Sequence, residues 1–322
     1  MNGLAKISLV LVIVLVSLSA YLRLAHSGIG CSGWPECYGQ IGETPSISQP
    51  VTTQNAYQRI LEEGQQKANQ PLAWATPLHR LVASVLGLLV MGLVFMAFRQ
   101  KRQRLIALSL LGLTIFLAVL GMRSGSLHNP AVVMGNLGGG FCMLGLLGWM
   151  VFSSAESPAI TNRNLAIKSS AALAIAALCL QIFLGGLTSA NFAATSCRTL
   201  PDCHGSWLPG SALLEAIDLS REHEVTSMGQ AIGGQERLAI HKAHRLGAVL
   251  TALLTLIAAV MALRSEARFR RSGVFILVLL ALEFSVGIGA ILSNLPIGLA
   301  VAHNWLAGLL LLGLLKLLAL SR

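Results

Sequence analysis

Two histidines, His244 and His303, each lie about one turn inside a long apolar run, at the same depth. Polar groups at that depth are costly and face a bundle interior. Two neutral imidazoles facing each other can fill both axial positions of a haem iron. The competing role is hydrogen-bonded helix packing. A related context occurs earlier, where Leu78-His79-Arg80-Leu81 parallels Ala243-His244-Arg245-Leu246. The counterpart of His303 is Asn136, in Pro130-Ala-Val-Val-Met-Gly-Asn136 against Pro296-Ile-Gly-Leu-Ala-Val-Ala-His303. Asn does not normally ligate haem iron, so a site built on His79 keeps one face open. Open positions suit chemistry, and closed six-coordinate sites suit electron transfer. Arg80 and Arg245 directly follow a histidine. Each can pair with a haem propionate or snorkel to the interface.

Other groups carry chemistry too. Cys31-Ser-Gly-Trp-Pro35-Glu-Cys37-Tyr-Gly39 and Cys197-Arg-Thr-Leu-Pro201-Asp-Cys203-His-Gly205 share one spacing. In an oxidising compartment each pair can close a small disulfide loop, as a staple or as a redox-active couple. No Cys-x-x-Cys spacing suggests a metal site. Cys142 and Cys179 lie inside apolar runs and are expected to pack there. Glu283 is a carboxylate within a span, in a slot equivalent to Gln181: Gln181-Ile-Phe-Leu-Gly185 parallels Glu283-Phe-Ser-Val-Gly287. It is either functional or a protonated packing residue. His26, His128, His204 and His223 are expected at loops or surfaces.

The elements that position these groups are read from hydropathy. The 322-residue chain is 54% hydrophobic and 11% charged, under half the charge of an ordinary soluble domain. Runs long enough to cross a bilayer core recur near 7–25, 78–98, 105–123, 131–152, 168–188, 243–263, 273–292 and 297–318. Such segments must satisfy every backbone group internally, which gives an all-α integral membrane protein with eight transmembrane helices. The first run lacks a small-residue cleavage site and continues into Tyr21-Leu22-Arg23, so it reads as a span. The net charge of +10 does not indicate nucleic acid. The short links Arg99 to Arg104 and Arg264 to Arg271 are basic, whereas the long loops 27–76 and 189–240 hold nearly all the acids. Short basic links stay in the cytoplasm. Both termini are then cytoplasmic and both Cys loops lie outside, in the periplasm of a bacterial inner membrane.

The parallels share an offset of 165–167 residues. They predict two tandem four-helix bundles, residues 1–155 and 156–322. An even span count inserts both in the same direction, so their pseudo-two-fold axis runs along the membrane normal.

The chain resembles the haem A synthase family, membrane proteins that mature the haem of cytochrome oxidase. The resemblance rests on Tyr21 to Gly39, His79-Arg80, Gln181 to Gly186, Cys197 to Gly205, Ile240-His241-Lys-Ala-His244-Arg245-Leu-Gly247 and Ala302-His303-Asn304, and it spans the whole chain. It implies an oxidoreductase converting the C8 methyl of haem O to a formyl group by successive hydroxylations. It implies a haem b cofactor on His244 and His303, with Arg245 beside it, in the second half. The substrate haem would then sit in the first half with His79, Arg80 and Asn136. It further implies haem O as substrate, with membrane lipid, a haem O synthase and a second copy of the chain as partners. Two positions depart from the family pattern: Thr76 stands where the family has Glu, and Asn136 where it has His. Those departures fit an alternative, a haem-binding assembly or carrier protein without catalysis. A thiol–disulfide membrane redox protein is the third reading, from the Cys pairs.

Overall fold

A computed structural model describes residues 1–26, 74–122, 130–153, 162–219 and 234–321. They form α1 (Asn2–His26), α2 (Ala75–Gln100), α3 (Arg104–Met122), α4 (Pro130–Phe152), α5 (Asn162–Ala190), α6 (Ala212–Ala216), α7 (Gly234–Leu263), α8 (Ala267–Leu292) and α9 (Ile297–Leu320). All but α6 are long and apolar enough to cross a membrane, eight in all. The chain is an all-α multi-span membrane protein.

The helices outrun the apolar windows. α7 begins at Gly234, well before residue 243. Gln235, Glu236 and Arg237 are good helix formers, but their polarity ends a hydropathy window. The α2–α3 turn is tight, with Lys101 and Gln103 at φ 53° and 54°. The Gln103 amide donates to Met150 O (3.2 Å) and Ser153 Oγ (3.0 Å), which pins this turn to the end of α4.

The helices pack as two rings. In one, α1 touches α2 and α4, and α3 touches α2 and α4. In the other, α5 touches α7 and α9, and α8 touches α7 and α9. Three contacts join the rings: α1 with α9, α4 with α5, and α4 with α9. α4 and α9 are therefore central, and 44% of each apolar window is buried, against 11% for α3. Small residues let the central pair approach. A Cβ on Gly308 would lie 3.1 Å from Leu144 Cδ2, and one on Gly148 would lie 2.5 Å from Leu312 Cδ2.

The outward faces stay apolar, with Leu88, Phe95, Met122, Leu253 and Val278 exposed. That suits a hydrocarbon surround. Cys142 and Cys179, expected to pack inside, are exposed on this surface. A lipid-facing position is as apolar as a core, so hydrophobic character alone does not tell the two apart.

The α7–α8 hairpin crosses most tightly at Gly273. A Cβ there would lie 2.8 Å from Ala259 O and 3.2 Å from Leu263 N, both backbone atoms that cannot swing away. Gly273→Ala should cost about 1–3 kcal/mol by overpacking, seen as a lower unfolding midpoint by circular dichroism in detergent. Gly112→Ala, with nothing within 4 Å of the new carbon, should leave the midpoint unchanged or raise it.

Candidate functional site

α7 and α9 stand opposite each other in the second ring, with α5 and α8 between them. His244 projects from α7 and His303 from α9. Their ring centroids are 6.4 Å apart and their planes are crossed at 87°. Both side chains are half-buried.

Each imidazole is seated on a flanking helix by the same device. His244 rests on α5: a Cβ on Gly185 would lie 3.1 Å from His244 Cε1. One turn away, Gln181 Nε2 is 3.1 Å from His244 Nδ1 and donates to His244 O at 3.0 Å. His303 rests on α8: a Cβ on Gly287 would lie 3.1 Å from His303 Cε1. One turn away, Glu283 Oε1 is 3.2 Å from His303 Nδ1. A polar residue and a glycine four positions on share a helix face, so each ring gains a polar partner and a flat seat.

The consequence is chemical. A carboxylate close to Nδ1 favours the proton on that nitrogen, which leaves the Nε2 lone pair of His303 available. At His244 the Gln181 amide nitrogen meets both Nδ1 and the backbone carbonyl, which fixes the orientation of the ring. Among the described residues no hydrogen bond occupies either Nε2. Two imidazoles bonded to one metal at about 2 Å each place their centroids about 6 Å apart. The observed 6.4 Å fits an axial pair on one haem iron. No group of three or more His, Cys, Asp or Glu suited to a metal ion occurs among the described residues. A haem supplies its own four nitrogens, so two protein ligands suffice.

Above the pair, Cys197 and Cys203 form a disulfide, their Cα atoms 5.3 Å apart. Cys203 and Ser206 exchange backbone hydrogen bonds at 3.2 Å, closing a small hairpin. Arg245, next to His244, grips this loop from below. Its Nη1 donates to Thr199 O (2.6 Å) and Asp202 O (2.9 Å), and its Nη2 to Cys197 O (2.6 Å). Its Nε is buried without a partner. The loop, the arginine and His244 are thus one connected unit.

In the first ring, α2 and α4 stand opposite each other as α7 and α9 do. Thr76 and His79 are half-buried on α2, Arg80 is exposed, and Asn136 is half-buried on α4. At the 166-residue offset of the first cysteines, Gln181 and Glu283 correspond to Leu15 and Leu117. The polar seats of the second ring have no counterpart at those positions. Cys31, Cys37, His128 and His223 lie outside the described residues, as does the side chain of His26. His204 is exposed, with Nε2 3.3 Å from Ser196 O.

The sequence matches the COX15-CtaA family of cytochrome oxidase assembly proteins over residues 3–315. The chain belongs to this family. It is 32% identical to the heme A synthase of Shewanella oneidensis, over 98% of this chain and 95% of that one. It is 23% identical to the heme A synthases of Granulibacter bethesdensis and Neorickettsia sennetsu, over 94% and 95% of this chain and 82% and 94% of theirs.

Within this family member, three features of the site escaped the residue-by-residue reading. Gly185 and Gly287 serve as ring seats, a role whose only signal was the shared Gln/Glu-x-x-x-Gly spacing. His241, one turn before His244, is buried at 4% exposure with an unpartnered Nδ1. Arg245 binds loop carbonyls, which carry no sequence signal at all.

Charge-assisted bonds from Arg245 hold the disulfide loop down. Arg245→Ala should speed reduction of Cys197–Cys203 by dithiothreitol several-fold, read by maleimide gel shift. Arg245→Lys, lacking the planar fork, should recover only part of the protection.

Proposed function

We propose that the chain makes haem A from haem O, oxidising the C8 methyl of the substrate to a formyl group in a bacterial inner membrane. The observation that carries this reading is the seated His244–His303 pair, at 6.4 Å, in a chain of the cytochrome oxidase assembly family. Relatives named heme A synthase, matched along nearly the whole chain, support it.

The second half, 156–322, holds haem b between His244 and His303. A haem held by these two histidines would supply one-electron transfer. Glu283 and Gln181 fix the two rings on Nδ1, and Gly185 and Gly287 leave room for them. Arg245 braces the outer loop over the pair. The first half, 1–155, takes the haem O substrate with His79 on its iron, Arg80 near its propionates and Asn136 on the far face. Asn136 is not an iron ligand of the usual kind, so that face stays open to a reactant.

The conversion of methyl to formyl adds one oxygen atom and removes four electrons. With water as the oxygen source, four protons and four electrons are released, so the reaction requires an external electron acceptor, to which the second half would pass the electrons. Thr76, three residues before His79, presents a hydroxyl on the same helix face, where it can orient that water.

The two halves are copies related by a two-fold along the membrane normal. What supports this is the ring packing: exchanging the halves turns the α1–α9 contact into α5–α4 and returns α4–α9 to itself. Both termini lie in the cytoplasm, with the Cys loops in the periplasm. The Cys197–Cys203 disulfide fits that sidedness.

The test is extraction of pigment from cells making this chain together with a haem O producer. Haem A or its hydroxymethyl intermediate should appear. His79→Ala should lower that product by at least about tenfold while the low-spin haem spectrum of the purified protein persists. His244→Ala or His303→Ala should remove that spectrum. Glu283→Leu should weaken haem retention by about 10–100-fold. Only haem O, recovered from protein that carries its low-spin haem, would overturn the catalytic reading and leave a carrier.

A further inference from the structure

We infer that Arg23 and Asn304 form a carboxylate-binding site at the seam between the two rings, and that its ligand is a propionate of the haem held by His244 and His303. This rests on the haem-binding reading above.

Arg23 lies near the end of α1, which packs against α9 across the seam. Its Nη2 donates to Asn304 Oδ1 at 3.3 Å. Its Nε is closed to solvent and makes no hydrogen bond. Among the described residues no acidic side chain pairs with it; its side-chain partner is the Asn304 amide. A guanidinium at membrane depth that meets only a neutral amide is far from satisfied. Its planar fork has the shape to take a carboxylate through two parallel bonds.

Position identifies the carboxylate. Asn304 follows His303 directly, so it lies at the same depth and about 100° around the helix. It leads from the edge of the histidine pair toward α1. The other arginine beside the pair, Arg245, has both Nη groups committed to three loop carbonyls. Arg23 keeps both Nε and Nη1 uncommitted, whereas Arg245 has Nε alone without a partner. The second copy also places an inward polar group at this register: Ser189, at the 166-residue offset, has a buried hydroxyl without a partner. The first half of the chain would thus supply a binding group to the cofactor of the second.

The experiment measures transfer of haem b from the purified full-length protein to apomyoglobin, beside the same measurement with haem b dimethyl ester. Arg23→Gln should speed loss of the free-acid haem about tenfold while the low-spin spectrum of the bound haem persists. Asn304→Asp keeps the arginine but gives it an internal carboxylate, and should speed loss similarly. With the ester, wild type should release as fast as the variants, and the substitutions should add nothing. Unchanged release from Arg23→Gln overturns the inference. So does equal acceleration of acid and ester, which marks a purely structural contact. An effect confined to haem O bound in the first half overturns it in favour of the substrate's carboxylate. A wild-type protein without low-spin haem would overturn the functional reading and this inference together; a normal low-spin haem with unaltered release overturns this one alone.

Discussion

An imidazole inside a membrane bundle must be held on one nitrogen before the other is of use. Left alone it would lose its water contacts and gain none in return, a cost of several kcal/mol or about a thousandfold in population. The second ring meets that constraint twice with one device. A polar side chain meets Nδ1, and a glycine one turn along opens the space the ring occupies. Gln181 with Gly185 serves His244, and Glu283 with Gly287 serves His303. The rest of the ring follows from this. α5 and α8 must flank α7 and α9, because each histidine needs a helix beside it and the other histidine across from it.

Precision at the pair depends on parts that never touch it. The central crossing of α4 and α9 is close because Gly148 and Gly308 leave space for Leu312 and Leu144. That fixes the helix carrying His303. The helix carrying His244 is fixed near its first turns by Arg245, whose guanidinium gathers three carbonyls of a disulfide-closed loop. A loop of this kind would otherwise add freedom at the end of α7. Bonded to a residue adjacent to the ligand, it becomes a clamp.

Much of this architecture was legible in the sequence. The eight spans are there because apolar runs of bilayer length leave few alternatives, and the histidine pair is there because polar residues stand out against such runs. Helix ends were less legible: Gln235, Glu236 and Arg237 extend α7 without signalling it by hydropathy. The inward or outward facing of Cys142 and Cys179 was not legible, since lipid and core favour the same side chains. The site partners divide the same way. Glu283 announced itself as a carboxylate within a span, although its sequence left open a packing role. Arg245's bonds run to backbone carbonyls, and the Arg23–Asn304 contact joins residues separated by 281 positions, so neither leaves a local pattern.

On the proposed reading of the halves as two copies, the difference between them runs deeper than the one missing histidine. Replacing His303 by an asparagine would alone leave a half-built site, with polar partners waiting for rings. The first copy instead has Leu15 and Leu117 at the registers of Gln181 and Glu283. With those partners gone, a second imidazole facing His79 would have no acceptor to fix its Nδ1 and nothing to repay its burial. Asn136 is then consistent with its surroundings: the first copy has lost the means to close an axial pair as well as the ligand itself. On the proposed reading this is what substrate binding requires. A haem held on one side can enter, react and leave, whereas one clamped on both sides by seated rings stays. On the same reading, the side chains at matching registers decide which half keeps its haem and which exchanges it.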